Sequence, residues 1–348
     1  MSNSLEQLVG QLIIAGFRGK NSKNGSLIKK YIKEYNIGGV ILYDEDLEIG
    51  GLGSRNIQSP KQVKELTDYL KSISDNQLLI GIDQEGGNVN RLKSDYGFQK
   101  FPSWKKIGSL NNKLITQQFS YSIADTLFQC GINLNFAPVL DLDFGPETNI
   151  GKSNRAISIE PIEVISHSKI FISELQKYGI ISCGKHFPGQ GSAKADTHLG
   201  YTDISNTWTV KDLLPFDELI QSKDLNMIMI AHTFDKKLDA NFPASLSKNI
   251  ITNMLRHDLG FNGVVICDDP SMKAISNHYD LNTTFELMLN AGVDLFCLGN
   301  NLHYDPQYIE KSIQSICYLI QSGKIKKSRI DLSVDRIKAL KIKYNLNG

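Results

Sequence analysis

The 348-residue chain carries 38 basic and 37 acidic side chains, a net charge of +1, with 41% hydrophobic and 22% charged residues. That balance removes the electrostatic reason to expect nucleic acid or an anionic membrane as partner, and the composition is that of an ordinary globular enzyme. No apolar run approaches the ~18 residues of a membrane span, and the first twenty residues lack the basic head and unbroken apolar core of a signal peptide.

Short runs rich in Val, Ile and Leu recur at 12–17, 38–43, 78–83, 134–140, 179–187, 227–231, 263–267 and 293–298. Each has strand length and little polar alternation, the pattern of strands buried on both faces. Helix-length amphipathic stretches separate them at 60–72, 114–128, 161–177, 213–222, 247–259 and 283–290. Eight strands alternating with helices predict an α/β fold, a (β/α)8 barrel of the TIM type. No linker and no internal repeat divides the chain, so one domain is expected over 1–348. Residues 305–348 read as C-terminal helices packed on the barrel, with Ser328 and Asp331 fitting a capping pattern ahead of 332–344. The Gly-rich segment 50–56 after the second strand reads as a flexible surface loop on the catalytic rim. The five cysteines form no CxxC pair and three lie in strand-like runs, which predicts buried free thiols and a reducing, cytoplasmic setting.

In such a barrel, chemistry belongs at the carboxyl ends of the strands. The third strand ends in Asp83, with Arg91 eight residues on, and the fourth runs through Asp141 towards Arg155. The fifth ends in Lys185-His186 and opens a loop holding Asp196 and His198; the sixth ends at His232 and the seventh at Asp268-Asp269. One such carboxylate is ordinarily a helix N-cap, the reading that suits Asp269, but five consecutive strand ends are hard to explain by capping. Asp196 and His198, two apart, point the same way on an extended loop, where the carboxylate holds the imidazole in one tautomer. The alternative is a turn-forming Asp beside a surface His. Asp268 closes an apolar strand and needs cations nearby to stay ionised, for which Lys185, Arg91 and Arg155 are the candidates. A carboxylate nucleophile opposite a proton donor is the arrangement of retaining glycoside hydrolysis. No compact ligand spacing for a metal is present, and His232 is a pocket residue or a structural one.

At these positions the sequence resembles glycoside hydrolase family 3, in its β-N-acetylhexosaminidase (NagZ-like) branch. The matching segments are Asp83-Gln-Glu-Gly-Gly87, Asn135-Phe-Ala-Pro-Val-Leu-Asp141, Lys185-His-Phe-Pro-Gly189 followed by Asp196-Thr-His198, and Cys267-Asp-Asp-Pro270. The resemblance implies a retaining exo-β-N-acetylglucosaminidase with Asp268 as nucleophile, and His198 as acid/base assisted by Asp196. It implies Asp83, Arg91, Arg155, Lys185 and His186 as sugar-binding residues. It implies no metal or organic cofactor, a small glycan or muropeptide substrate, and a role in peptidoglycan recycling; a monomer is expected. The chain departs from the family pattern at Gln190, where His is usual, at Pro270, at Ala156, and in a longer segment 44–54. Three other readings stay open: a phosphorylase on the same site, a Schiff-base aldolase using Lys185, and a sugar-binding barrel without catalysis.

Overall fold

A computed structural model describes residues 4–21, 27–75, 77–196, 200 and 202–346. Each of the eight apolar runs forms a strand: β1 Ile13–Gly16, β2 Gly39–Leu42, β3 Leu79–Ile82, β4 Leu134–Asn135, β5 Ile181–Phe187, β6 Met227–Ile230, β7 Val264–Cys267 and β8 Leu295–Leu298. They pair in parallel and in chain order, and β8 returns to β1, with Ile13 opposite Phe296, to close the barrel. Successive side chains of a strand point to opposite faces. Ile14, Leu79, Met227 and Ile266 therefore fill the barrel interior, while Ile13, Ile80, Ile228 and Val265 pack outward in the larger core under the helices. Both faces are dry, which is why the runs do not alternate.

The helices over 60–72 and 161–177 begin and end where the amphipathic pattern does, each with proline in its first turn, where the missing N–H goes unneeded. The short helices Leu5–Gly10, Leu27–Tyr35 and Trp104–Leu110 are not apparent from periodicity. β4 is shorter than expected. Pro138 has no N–H for a ladder and regular pairing stops at Asn135, although the carbonyls of Ala137 and Pro138 still accept from the Cys183 and Lys185 N–H groups of β5 at 3.0 and 3.2 Å. The Asn135 side chain takes over as strand partner, donating to the Gln84 carbonyl and accepting from the Gln84 N–H, both at 3.0 Å.

The tail forms two helices, Tyr308–Gln321 and Lys327–Lys343. The capping pattern expected at Ser328 is absent: the helix already starts at Lys327 without a side-chain cap, and Asp331 instead pairs with the Lys327 ammonium at 2.7 Å. Ile337 and Leu340 of this helix, and Tyr344 just past its end, join the interior core of the barrel. Buried Asp294, just ahead of β8, draws in Arg256, Arg329 and Arg336 and so ties the last helix to the sheet. Among the described residues no helix is long and apolar enough to cross a membrane.

Candidate active site

The carboxyl ends of the strands surround a cavity of about 230 Å³ lined by Asp83, Arg91, Arg155, Lys185, His186 and Asp268. Asp268 extends β7 by one residue: its N–H donates to Ile230 at 3.2 Å, as a ladder partner would, and its Oδ1 accepts from the Asp269 N–H at 2.9 Å. The carboxylate is half-buried at the strand tip.

Opposite it lies a network of alternating charge. The Lys185 ammonium, 3% exposed, is 2.7 Å from both Asp83 and Glu85. Arg155 grips the same Glu85 with two hydrogen bonds of 2.8 and 2.9 Å, and its Nη2 also lies 3.3 Å from His186 Nε2. The far ring nitrogen, Nδ1, is 2.6 Å from buried Asp141. Since the guanidinium can only donate, Nε2 accepts and Nδ1 carries the proton, which orients the imidazole by hydrogen bonding at both ends. Arg91 closes the ring, 3.8 Å from Asp83 and 3.6 Å from Asp44.

Burial alone would push Glu85 up, but the Arg155 and Lys185 charges overcome it and hold the carboxyl at about 2. Burial likewise works to lower Lys185, and Asp83 and Glu85 reverse it, so that its pKa is raised. A lysine locked as ammonium has no lone pair for a carbonyl, which argues against the Schiff-base reading.

Of the residues expected to form the site, Asp83, Arg91, Arg155, Lys185, His186 and Asp268 converge on one cavity. Asp196 is half-buried on the loop after β5 and is not among the residues lining that cavity. His198 lies outside the described residues, so the pairing of Asp196 with His198 stands on the sequence. Glu85 and Asp141 join the same network, a part that the sequence did not assign them. Both sit inside the matching segments, but their partners are 70 and 45 residues away, beyond what local pattern reveals.

Asp269 is not the N-cap it resembled; Met272 occupies that place ahead of the helix Lys273–Ser276. The Asp269 carboxylate instead accepts from Gly299 and Ser271, both at 2.9 Å, joining the ends of β7 and β8 and forming a turn around Pro270. Burial raises its pKa to about 6. His232 is structural: Nε2 donates to the Asp269 carbonyl at 3.0 Å and Nδ1 meets Ser245 at 2.7 Å. Gln190 lines the cavity, and its N–H donates to Asp141 at 2.7 Å.

The segment 50–56 is also more than a surface loop. Arg55 is fully buried and binds Asp46, Asn301 and the carbonyls of Gly299 and Asn300, while Asn56 donates to the carbonyls of Phe17 and Gly19.

The model of the glycosyl hydrolase family 3 N-terminal domain matches residues 4–340. A β-hexosaminidase of Nitrosomonas eutropha is 34% identical over 293 residues, covering 80% of this chain and 77% of that one. One of Hydrogenovibrio crunogenus is 31% identical over 342 residues, covering 94% and 88%. Among solved structures, a family 3 β-N-acetylglucosaminidase of Paenibacillus sp. superposes with a TM-score of 0.89 at 30% identity, over all of this chain but 64% of that one. A β-N-acetylhexosaminidase of Beutenbergia cavernae superposes with a TM-score of 0.85 at 25% identity, over 98% and 99%. A closed eight-stranded barrel, a carboxylate at the tip of its seventh strand and a family model spanning nearly the whole length agree: the chain belongs to glycosyl hydrolase family 3.

Proposed function

We propose that the protein is a retaining exo-β-N-acetylglucosaminidase that removes terminal GlcNAc from small glycans through a covalent Asp268 glycosyl-enzyme. The observation that carries this reading is the half-buried Asp268 carboxylate at the β7 tip, in one cavity with the Asp83, Lys185, Arg155 and His186 network. Such a cavity offers fixed donors and acceptors to the hydroxyls of one sugar and a nucleophile to its anomeric carbon. The names of the relatives from Nitrosomonas and Paenibacillus support the same substrate class.

In the first step Asp268 forms a bond to the anomeric carbon as the bond to the leaving oxygen breaks, and protonated His198, oriented by Asp196, gives that oxygen its proton. In the second, His198 takes a proton from water, which displaces Asp268 and leaves the β-configuration retained. On this reading the substrates include cell-wall fragments released during peptidoglycan recycling, and the protein acts as a cytoplasmic monomer. The five buried free cysteines fit a reducing compartment.

Turnover of an aryl β-GlcNAc by purified wild type, Asp268→Ala and His198→Ala tests the mechanism. Loss on the order of a thousandfold is expected for the nucleophile variant, and roughly 10²–10⁴-fold for the acid/base variant. Near wild-type rates in either would overturn the assignment. Running the assay with and without phosphate reports whether the glycosyl-enzyme yields GlcNAc or its 1-phosphate.

A further inference from the structure

Beyond the cavity that takes the sugar, the loop after β2 and the loop after β8 build a rigid wall at its mouth. Asp46, 1% exposed at its side chain, is the hub. Arg18 reaches it from outside with hydrogen bonds of 2.6 and 2.9 Å while lying 3.8 Å over the Tyr304 ring. Arg55 reaches it from inside at 3.0 Å through Nη1, which also donates to Asn301 Oδ1 at 2.7 Å, while Nη2 donates to the carbonyls of Asn300 and Gly299 at 2.8 and 3.0 Å. Asn301 completes the clamp: its Nδ2 donates to the Glu45 carbonyl at 3.0 Å, and its Oδ1 accepts from the Leu47 N–H at 3.3 Å.

Two of the residues that this clamp presents to the cavity are leucines. Leu47 lines the cavity yet remains 59% exposed, and half-buried Leu302, next to Asn301, lines the cavity as well. A leucine left open to water on a loop that buried Arg55 anchors through Asp46 is not there for the core. Its backbone hydrogen bond to Asn301 fixes its position relative to Leu302 before any ligand arrives, so little ordering entropy is lost on contact.

We propose that Leu47 and Leu302, presented by the clamped β2 and β8 loops, form the contact for the leaving group and select one that lays the apolar C–H face of a second pyranose ring against them. This inference rests on the glycosidase reading and names which part of the substrate the wall meets. The leaving group departs in the first step, so the wall acts on kcat/KM and not on hydrolysis of the glycosyl-enzyme.

The test compares chitobiose, whose leaving group is a pyranose, with methyl β-N-acetylglucosaminide, whose leaving group is too small to span the wall. Leu47→Ser/Leu302→Ser is expected to lower kcat/KM on chitobiose roughly ten- to hundredfold, the range for losing apolar contacts of this size. The methyl glycoside and the inhibition constant of free GlcNAc should stay within about twofold. Ile49→Ser and Leu52→Ser, on exposed positions of the same loop outside the cavity lining, serve as controls and should change neither substrate. An equal loss on both substrates, or no loss on chitobiose, overturns the proposal. Should the wild type turn over neither, the glycosidase reading falls by itself. The wall is then judged by the ratio of chitobiose to GlcNAc affinity in calorimetry, which the double variant must lower if the inference holds.

Discussion

Glu85 is almost wholly buried between Arg155 and Lys185, two of the cations that line the cavity. Glu85→Gln keeps the shape and removes the charge, leaving both cations under-compensated in a buried setting, a change that typically destabilises by about 3–5 kcal/mol. Urea unfolding should show that loss at pH 7. Its pH dependence follows from the depressed carboxyl. With a folded pKa of about 2 against an ordinary 4.5, the stabilisation is fully present above pH 4.5 and fades as pH falls towards 2. The gap between wild type and variant must therefore narrow over that window; a constant gap would mean that packing, not charge, is what Glu85 supplies. At this scale the sequence speaks unevenly. Asp83, Lys185 and Asp268 were legible because a charge closing an apolar strand is conspicuous. Glu85 was not, since its worth depends on cations brought in from β5 and the loop after β4. His198 lies outside the described residues, and its role rests on its motif alone.

At the level of elements, legibility followed the strength of the local signal. Eight strands and the long helices at 60–72 and 161–177 came through because period, length and first-turn proline agree. The β4 strand is shorter than its apolar run because Pro138 accepts from β5 but has no N–H to donate, so regular pairing stops before it. The segment 50–56 misled for a different reason: glycines with positive φ at 50, 51 and 53 suggest a free loop, yet Arg55 beside them is the most anchored side chain on the rim. Arg55→Met tests this directly. Asp46 keeps Arg18 and Asn301 Oδ1 keeps the Leu47 N–H, but the carbonyls of Gly299 and Asn300 lose the Arg55 donor, and each buried unsatisfied group costs about 1–3 kcal/mol. A fall in unfolding free energy of roughly 3 kcal/mol or more is expected, with faster proteolytic cleavage near Gly50–Gly51. A variant as stable and as protease-resistant as wild type would show that the clamp contributes nothing.

Across the whole molecule, buried carboxyls of opposite tendency shape the response to pH. Asp212, 1% exposed, is pushed up to about 6 by burial, against which the hydrogen bonds from Thr209 work only in part, and Asp269 is raised to a similar value by its own burial. For a carboxyl raised above its ordinary 3.8, the contribution to stability is fully present below that value and is lost as pH rises through 6, the reverse of Glu85. Summed, these three groups favour greatest stability near pH 4, where Glu85 is ionised in the fold and the two aspartates are still protonated, below the range where many domains are most stable. Asp212 is the cleaner probe, because Asp269 borders Asp268, the proposed nucleophile. An Asp212→Asn chain keeps an oxygen for the Thr209 N–H and hydroxyl, both now about 3 Å away, and no longer has a charge to bury. A shift of two pKa units corresponds to about 3 kcal/mol at most, so the variant should gain up to that amount at pH 8 and close to nothing at pH 4. Melting curves collected across that range should show the stability maximum moving upward in pH. If the variant is less stable than wild type at pH 8, the Asp212 charge is compensated by its surroundings and the raised carboxyl is not what limits the fold there.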